Sequence, residues 1–205
     1  MKPQGEDRVL IAAADQFAES GFAAATVRQI AERCGMSTGS LFNRFASKRE
    51  LLVAAVAEGT VRPDAHVRAR LQSVTDPLER LRVLVVAHLE ALHGDSRPFV
   101  TVALREFHRL DADERQRVVR IRDAFEQLWQ SVIDDAVDAG LVSDDPLLRL
   151  FLLGAVNHSL QWYRPGAGLS VEELGSRFVA MAVQGAGVPA WSGQRTEFQL
   201  SEGGL

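Results

Sequence analysis

Residues 37–48 read STGSLFNRFASK: short hydroxylated side chains and a glycine, then two phenylalanines, an asparagine and basic groups. They follow TVRQIAERCGM at 26–36, and the two stretches read as a pair of helices joined by a tight turn. Such a pair needs a small residue at the crossing, a glycine in the turn and apolar inner faces. Ile30 and Ala31, then Cys34, Gly35 and Met36, then Leu41 and Phe45 meet all three needs. The second helix of this arrangement enters a DNA major groove, with its first residues at the base edges. Thr38, Gly39 and Ser40 are short enough for that approach, Ser37 caps the helix, and Asn43 donates a hydrogen bond further along. Helix starts at Thr26 and Ser47 turn free N–H groups and the positive end of the helix dipole toward phosphate. The plainer alternative is a compact helical hairpin in which Gly35, Ser37 and Ser47 serve only as caps.

Outside this stretch the chain sets bounds. At 205 residues and 46% hydrophobic it is long enough to bury a real core. No apolar run reaches the roughly 18 residues of a membrane span, and the polar start MKPQGEDR has no apolar signal stretch, so a cytoplasmic protein with no membrane association is expected. The single cysteine, Cys34, forms neither an internal disulfide nor a cysteine cage for zinc, and no metal or other cofactor is expected. The net charge of −4 is unevenly spread: five basic residues against two acidic ones give +3 between Ala25 and Glu50, leaving −7 elsewhere. A basic island on an acidic protein suits a local anionic partner, although ordinary solvated helices also carry such islands.

The punctuation is helical throughout, and no sustained period-2 run appears, so an all-α fold is expected. Asp7–Ser20 repeats apolar residues on one face and stops at Gly21; a capping box at Thr26 and Gln29 opens a helix to about Arg33. A short helix from Ser37 to about Phe45 follows, and a second capping box at Ser47 and Glu50 opens the next. Asp76 before Pro77 starts a helix through about Leu92, another begins at Pro98, and a long one ends at Gly140. A helix from Asp145 to Arg164 stops at Pro165 and Gly166, and a capping box at Ser170 and Glu173 opens the last, closing near Gly185 or Gly187. The expected division is a helix-turn-helix DNA-binding unit over 1–54, a larger helical unit over 55–187, and a flexible tail over 188–205.

Residues 9–56, which include AAADQFAESGFAAATVRQIAERCGMSTGSLFNRFASKRELL at 12–52, resemble the DNA-binding domain of the TetR family of one-component regulators. The resemblance implies an all-helical homodimer whose last two helices form a four-helix interface, a palindromic double-stranded operator, and a small hydrophobic effector held centrally. It thereby assigns ligand binding and dimerisation to the unit over 55–187. Repression relieved by that effector is the family's habit. Lys48 matches the family's phosphate-binding lysine, whereas Phe42 stands where the family commonly has a tyrosine and so lacks the hydroxyl that touches phosphate. Thr26, Arg28, Ser37, Thr38, Gly39, Ser40, Phe42, Asn43 and Lys48 form the expected DNA-binding set.

In the second half, Phe125, Trp129 and Val132 on one helix and the Phe99, Val102 and Leu104 region are candidates to line a cavity, although such stripes are more often plain core. Asn157, His158 and Gln161 are polar groups in an apolar helix and need partners if buried, from a ligand or across a dimer interface. The run NHSLQWYRPG, with Asn157, Trp162, Tyr163, Arg164 and Pro165, is similar to a TetR subgroup that governs fatty-acid and sterol breakdown. That similarity implies an acyl-CoA thioester as effector, its phosphates on basic groups such as Arg105, Arg109 or Arg120. Phe99, Val102, Arg105, Phe125, Trp129, Asn157, Gln161 and Trp162 are the expected ligand set. A CoA-free drug or metabolite is the alternative effector. A helical metalloenzyme is remote, because Glu90 and His93 make one Glu-x-x-His where a di-iron bundle needs two.

Overall fold

The computed structural model describes residues 4–185, and every regular element among them is helical. In chain order they are α1 (Gln4–Ala24), α2 (Val27–Arg33), α3 (Thr38–Phe42), α4 (Lys48–Leu71), α5 (Pro77–His93), α6 (Arg97–Glu106), a 3-10 turn (Phe107–Arg109), α7 (Ala112–Asp138), α8 (Leu148–Trp162) and α9 (Val171–Gly185).

Local chemistry explains most helix starts. Thr26 Oγ1 accepts from the Gln29 N–H at 3.2 Å while the Thr26 N–H donates to Gln29 Oε1 at 2.8 Å, the reciprocal capping box expected there. Ser170 and Glu173 close the same box on α9. At α4 only half of it forms: Ser47 Oγ accepts from the Glu50 N–H, but the Glu50 carboxylate takes the Ala46 N–H instead. Asp76 caps α5 ahead of Pro77, and Asp111 with Glu114 makes a further capping box at the head of α7, one that the sequence reading does not include. Each such cap contributes about 1 kcal/mol.

Several helix ends differ from expectation. α1 starts earlier, at Gln4, and the expected stop at Gly21 is a break within it, with φ 75° and ψ 161°. α3 is shorter than expected, ending at Phe42 rather than Phe45, although Phe45 beyond it is buried in the core. α7 ends at Asp138, and α8 begins at Leu148 rather than Asp145. The tail expected over 188–205 lies outside the described residues.

The buried side chains fall into two groups. The first joins Phe17, Ile30, Leu41, Leu51 and Leu52 with Phe99 and Val102 of α6. The second gathers Leu84, Leu89, Trp129, Val156 and Leu174 from α5, α7, α8 and α9. Helix α4 contributes residues to both groups, and residues 54–55, where the division is expected, lie within it.

Two glycines sit where neighbouring helices leave no room for a Cβ. A Cβ on Gly59 of α4 would sit 2.6 Å from Ala103 Cβ and 2.7 Å from the Phe99 carbonyl oxygen of α6. A Cβ on Gly175 of α9 would meet Val86 of α5 at 2.6 Å.

Candidate nucleic-acid interface and effector cavity

The turn between α2 and α3 is built by backbone bonds. The Gly35 N–H donates to Glu32 O at 3.1 Å and the Met36 N–H to Ala31 O at 2.9 Å, which closes a Schellman motif around Gly35 at φ 67°. Arg8 of α1 donates to the Cys34 carbonyl at 2.9 Å. Leu41 and Phe45 are buried against Ile30, Ala31 and Cys34, which fixes the outward face of α3. On that face Thr38, Gly39 and Asn43 are exposed, Ser40 is half-buried, and Phe42 stands 48% exposed, with no structural reason of its own to face water. Ser37 Oγ accepts from the Ser40 N–H at 3.1 Å and caps the helix.

Charge on this face is sparser than the sequence count. Arg33 pairs with Glu19 at 2.5 Å, Arg49 with Glu114 at 2.5 Å, and Arg28 with Glu32 at 2.8 Å. Lys48 is half-buried: its Nζ lies 4.4 Å from the Phe22 ring centroid and 3.4 Å from Ala23 O. Burial, followed by the Arg109 charge, lowers its pKa from the ordinary lysine value. Arg44, absent from the expected set, is exposed and, among the described residues, donates only to the Ser40 carbonyl, at 3.0 Å. Its signal is its place in FNRF, four residues after Ser40 on the same face.

Lys48→Ala and Arg44→Ala are each expected to weaken binding to all DNA sequences and to flatten the salt dependence by about one unit of log–log slope. Changes at Thr38 or Ser40 are expected to alter base preference instead. Fluorescence anisotropy over a salt series, on several duplexes, separates the two behaviours.

A cavity of about 300 Å³ opens between α4, α5, α6, α7 and α8. Its inner wall holds buried Val56, Gly59, His88 and Phe125, while Leu104, Arg122 and Asn157 are exposed and mark the mouth. Of the expected ligand set, Phe125 and Asn157 lie in this lining. Phe99 and Val102 face the other side of α6, in the core beneath α1 and α4, and Trp129 is wholly enclosed in the second core. Arg105 Nη1 donates to Ala18 O at 3.1 Å on α1, and Gln161 and Trp162 are exposed on α8. Arg109 is held by Glu106 at 2.5 Å, leaving Arg122, 3.5 Å from Glu126, as the arginine at the mouth.

His88, absent from the expected ligand set, also lies in the lining. Its imidazole sits edge-on to Phe125 and Trp129, at centroid distances of 5.1 and 5.5 Å. Burial pulls its pKa down to about 3, so the ring is neutral at pH 7. A depressed histidine pKa means that the unfolded chain binds more protons between about pH 6.5 and 3, so stability falls as pH drops through that window. From pH 7 to 5 His88 alone is expected to remove about 2 kcal/mol, and His88→Leu to lessen the acid loss seen in urea titrations at both pH values.

The face on α8 and α9 away from the cores is apolar: Leu147, Leu150, Phe151 and Met181 are each more than half exposed, with Gly154 and Ala180 open beside them.

Comparison with known proteins places this geometry. Residues 9–55 match the family model "Bacterial regulatory proteins, tetR family", and residues 74–186 match "Tetracyclin repressor-like, C-terminal domain". The HTH-type transcriptional repressor KstR2 of Mycobacterium tuberculosis is 31% identical over 177 residues, covering 84% of this chain and 88% of that one. The TetR family regulator PfmR of Thermus thermophilus superposes with a TM-score of 0.77 at 26% identity, over 87% of this chain and 98% of its own. AibR, solved with isovaleryl coenzyme A and operator DNA, has the same fold, with a TM-score of 0.76 at 22% identity over 88% and 98%. These relatives are transcriptional regulators rather than enzymes. With a capped, glycine-turned helix pair at one end, an effector-sized cavity behind it and family models matching both parts, the chain belongs to the TetR family of DNA-binding transcriptional regulators.

Proposed function

We propose that this regulator is a cytoplasmic repressor that binds a palindromic operator as a homodimer and is released by a small hydrophobic effector, an acyl-CoA thioester. The observation that carries this reading is the two-sidedness of α6. Val100, Ala103, Leu104 and Phe107 turn one face of this segment to the cavity, while Phe99 and Val102 pack into the core of the DNA reader. At its end the Phe22 N–H donates to Glu106 Oε1 at 3.2 Å, and Arg105 bonds Ala18 O, so α6 grips the last turns of α1. An effector that moves α6 therefore moves the base of the helix-turn-helix. Such a ligand releases DNA only to the extent that it binds the DNA-incompetent arrangement better.

The apolar inner wall suits an acyl group, and Arg122 at the mouth suits a phosphate of the carrier. That AibR was solved with both an acyl-CoA and operator DNA supports the same pairing in this fold. A panel of thioesters of short to long acyl chains, with the matching free acids, is to be titrated against the protein–operator complex by anisotropy. At least one thioester is expected to weaken operator binding about tenfold or more, with the acids much weaker, and Asn157→Leu to blunt the response while leaving DNA binding intact. If no thioester raises the melting temperature or frees DNA while a CoA-free hydrophobic compound does both, the effector is CoA-free.

A further inference from the structure

We propose that the inner end of the cavity recognises an uncharged oxygen, a hydroxyl or ketone, on the apolar part of its ligand, with His88 as the donor. The inference rests on the cavity being the effector site but not on the thioester. His88 lines the cavity while only 5% exposed, and among the described residues no protein group bonds either of its ring nitrogens. Its Nδ1 is enclosed. An enclosed N–H without an acceptor is rarer than an enclosed lone pair, so the proton belongs on Nε2, where a ligand oxygen can accept it. Pro63 and Gly59 of α4 line the same space without adding a side-chain hydrogen-bonding group, so His88 is the donor that a hydroxyl or ketone oxygen meets there.

Thr60 adds a further neutral polar group, whereas the charged lining groups Arg122 and Glu126 are a turn apart on α7, with Arg122 exposed at the mouth. The interior therefore rejects a carboxylate and accepts a neutral oxygen. Size narrows the class further. A cavity of about 150 Å³ holds one benzene, so about 300 Å³ holds on the order of a dozen carbon atoms.

The test uses two probes of nearly equal size, 2-naphthol and 2-methylnaphthalene, with 2-naphthoate as the charged control, titrated onto the full-length protein by tryptophan quenching. A hydroxyl buried without a partner costs binding energy, so the methyl compound wins in an apolar cavity and the naphthol wins only where it finds a hydrogen bond. The expected result is that 2-naphthol binds about tenfold more tightly than 2-methylnaphthalene, and that 2-naphthoate does not bind. His88→Leu should reverse the order and His88→Asn should keep part of it, with thermal melts showing both variants folded. Equal binding, a preference for the methyl compound, a preference that survives His88→Leu, or no binding of either neutral probe overturns the inference. A His88-dependent preference alongside a silent thioester panel leaves this subsite standing and removes only the acyl-CoA reading.

Discussion

Aspartate at both Leu150 and Phe151 is expected to make the protein monomeric and to lower operator affinity by about 10²–10⁴-fold. Both side chains are more than half exposed on α8, and Leu147, Gly154 and, on α9, Met181 are exposed as well. Monomers rarely leave several large apolar side chains in water on neighbouring helices, and a two-fold dimer buries them against a second copy. Dimerisation also presents two α3 helices to two half-sites, so its loss removes the effective concentration that the second contact enjoys. Gly154 gives an independent check, because a Cβ there meets nothing within 4 Å in the single chain. Gly154→Leu should therefore leave a monomer untouched and disturb only the paired form. Sedimentation equilibrium at micromolar concentration, with anisotropy on the same samples, reads both effects.

Gly59→Val is expected to destabilise the fold by about 3 kcal/mol, a drop of about 6–12 °C in melting temperature for a chain of this size. The first added carbon would lie 2.7 Å from the Phe99 carbonyl oxygen, and backbone cannot swing aside as a side chain does. α4 and α6 must then part. Because Gly59 also lines the cavity and Phe99 belongs to the reader's core, the same substitution should weaken operator binding and effector response together. Differential scanning calorimetry gives the first quantity and effector titration of the operator complex the second.

The helix-turn-helix was legible because it is written in short-range chemistry. A threonine three residues before a glutamine, a glycine in the left-handed turn and a serine cap act within four residues, and each formed where expected. What lay between helices was not legible. In RPFVTVALREFH both faces are apolar, so periodicity marks burial without saying that Phe99 and Val102 look toward the reader while Val100 and Ala103 look into the cavity. Trp129 and Phe125 sit four residues apart on one stripe, yet only Phe125 reaches the cavity. The arginines were visible as charge, but the bond from Arg105 to Ala18 on a distant segment comes only from the packed fold, whereas Glu106, three residues before Arg109, is a local partner. His88 is absent from the expected ligand set because its isolation among apolar neighbours shows only when the helices are packed.

Selection of bound duplexes from a randomised DNA library, at physiological salt, tests most directly the claim that α3 reads base edges for a two-fold regulator. The account predicts enrichment of a palindrome whose half-sites lie on one face of the duplex, bound about 10³-fold or more tightly than shuffled DNA, and a changed half-site consensus for a Thr38 variant. Recovery of no preferred sequence, or of one identical consensus from the wild type and from Thr38 and Ser40 variants, would contradict it.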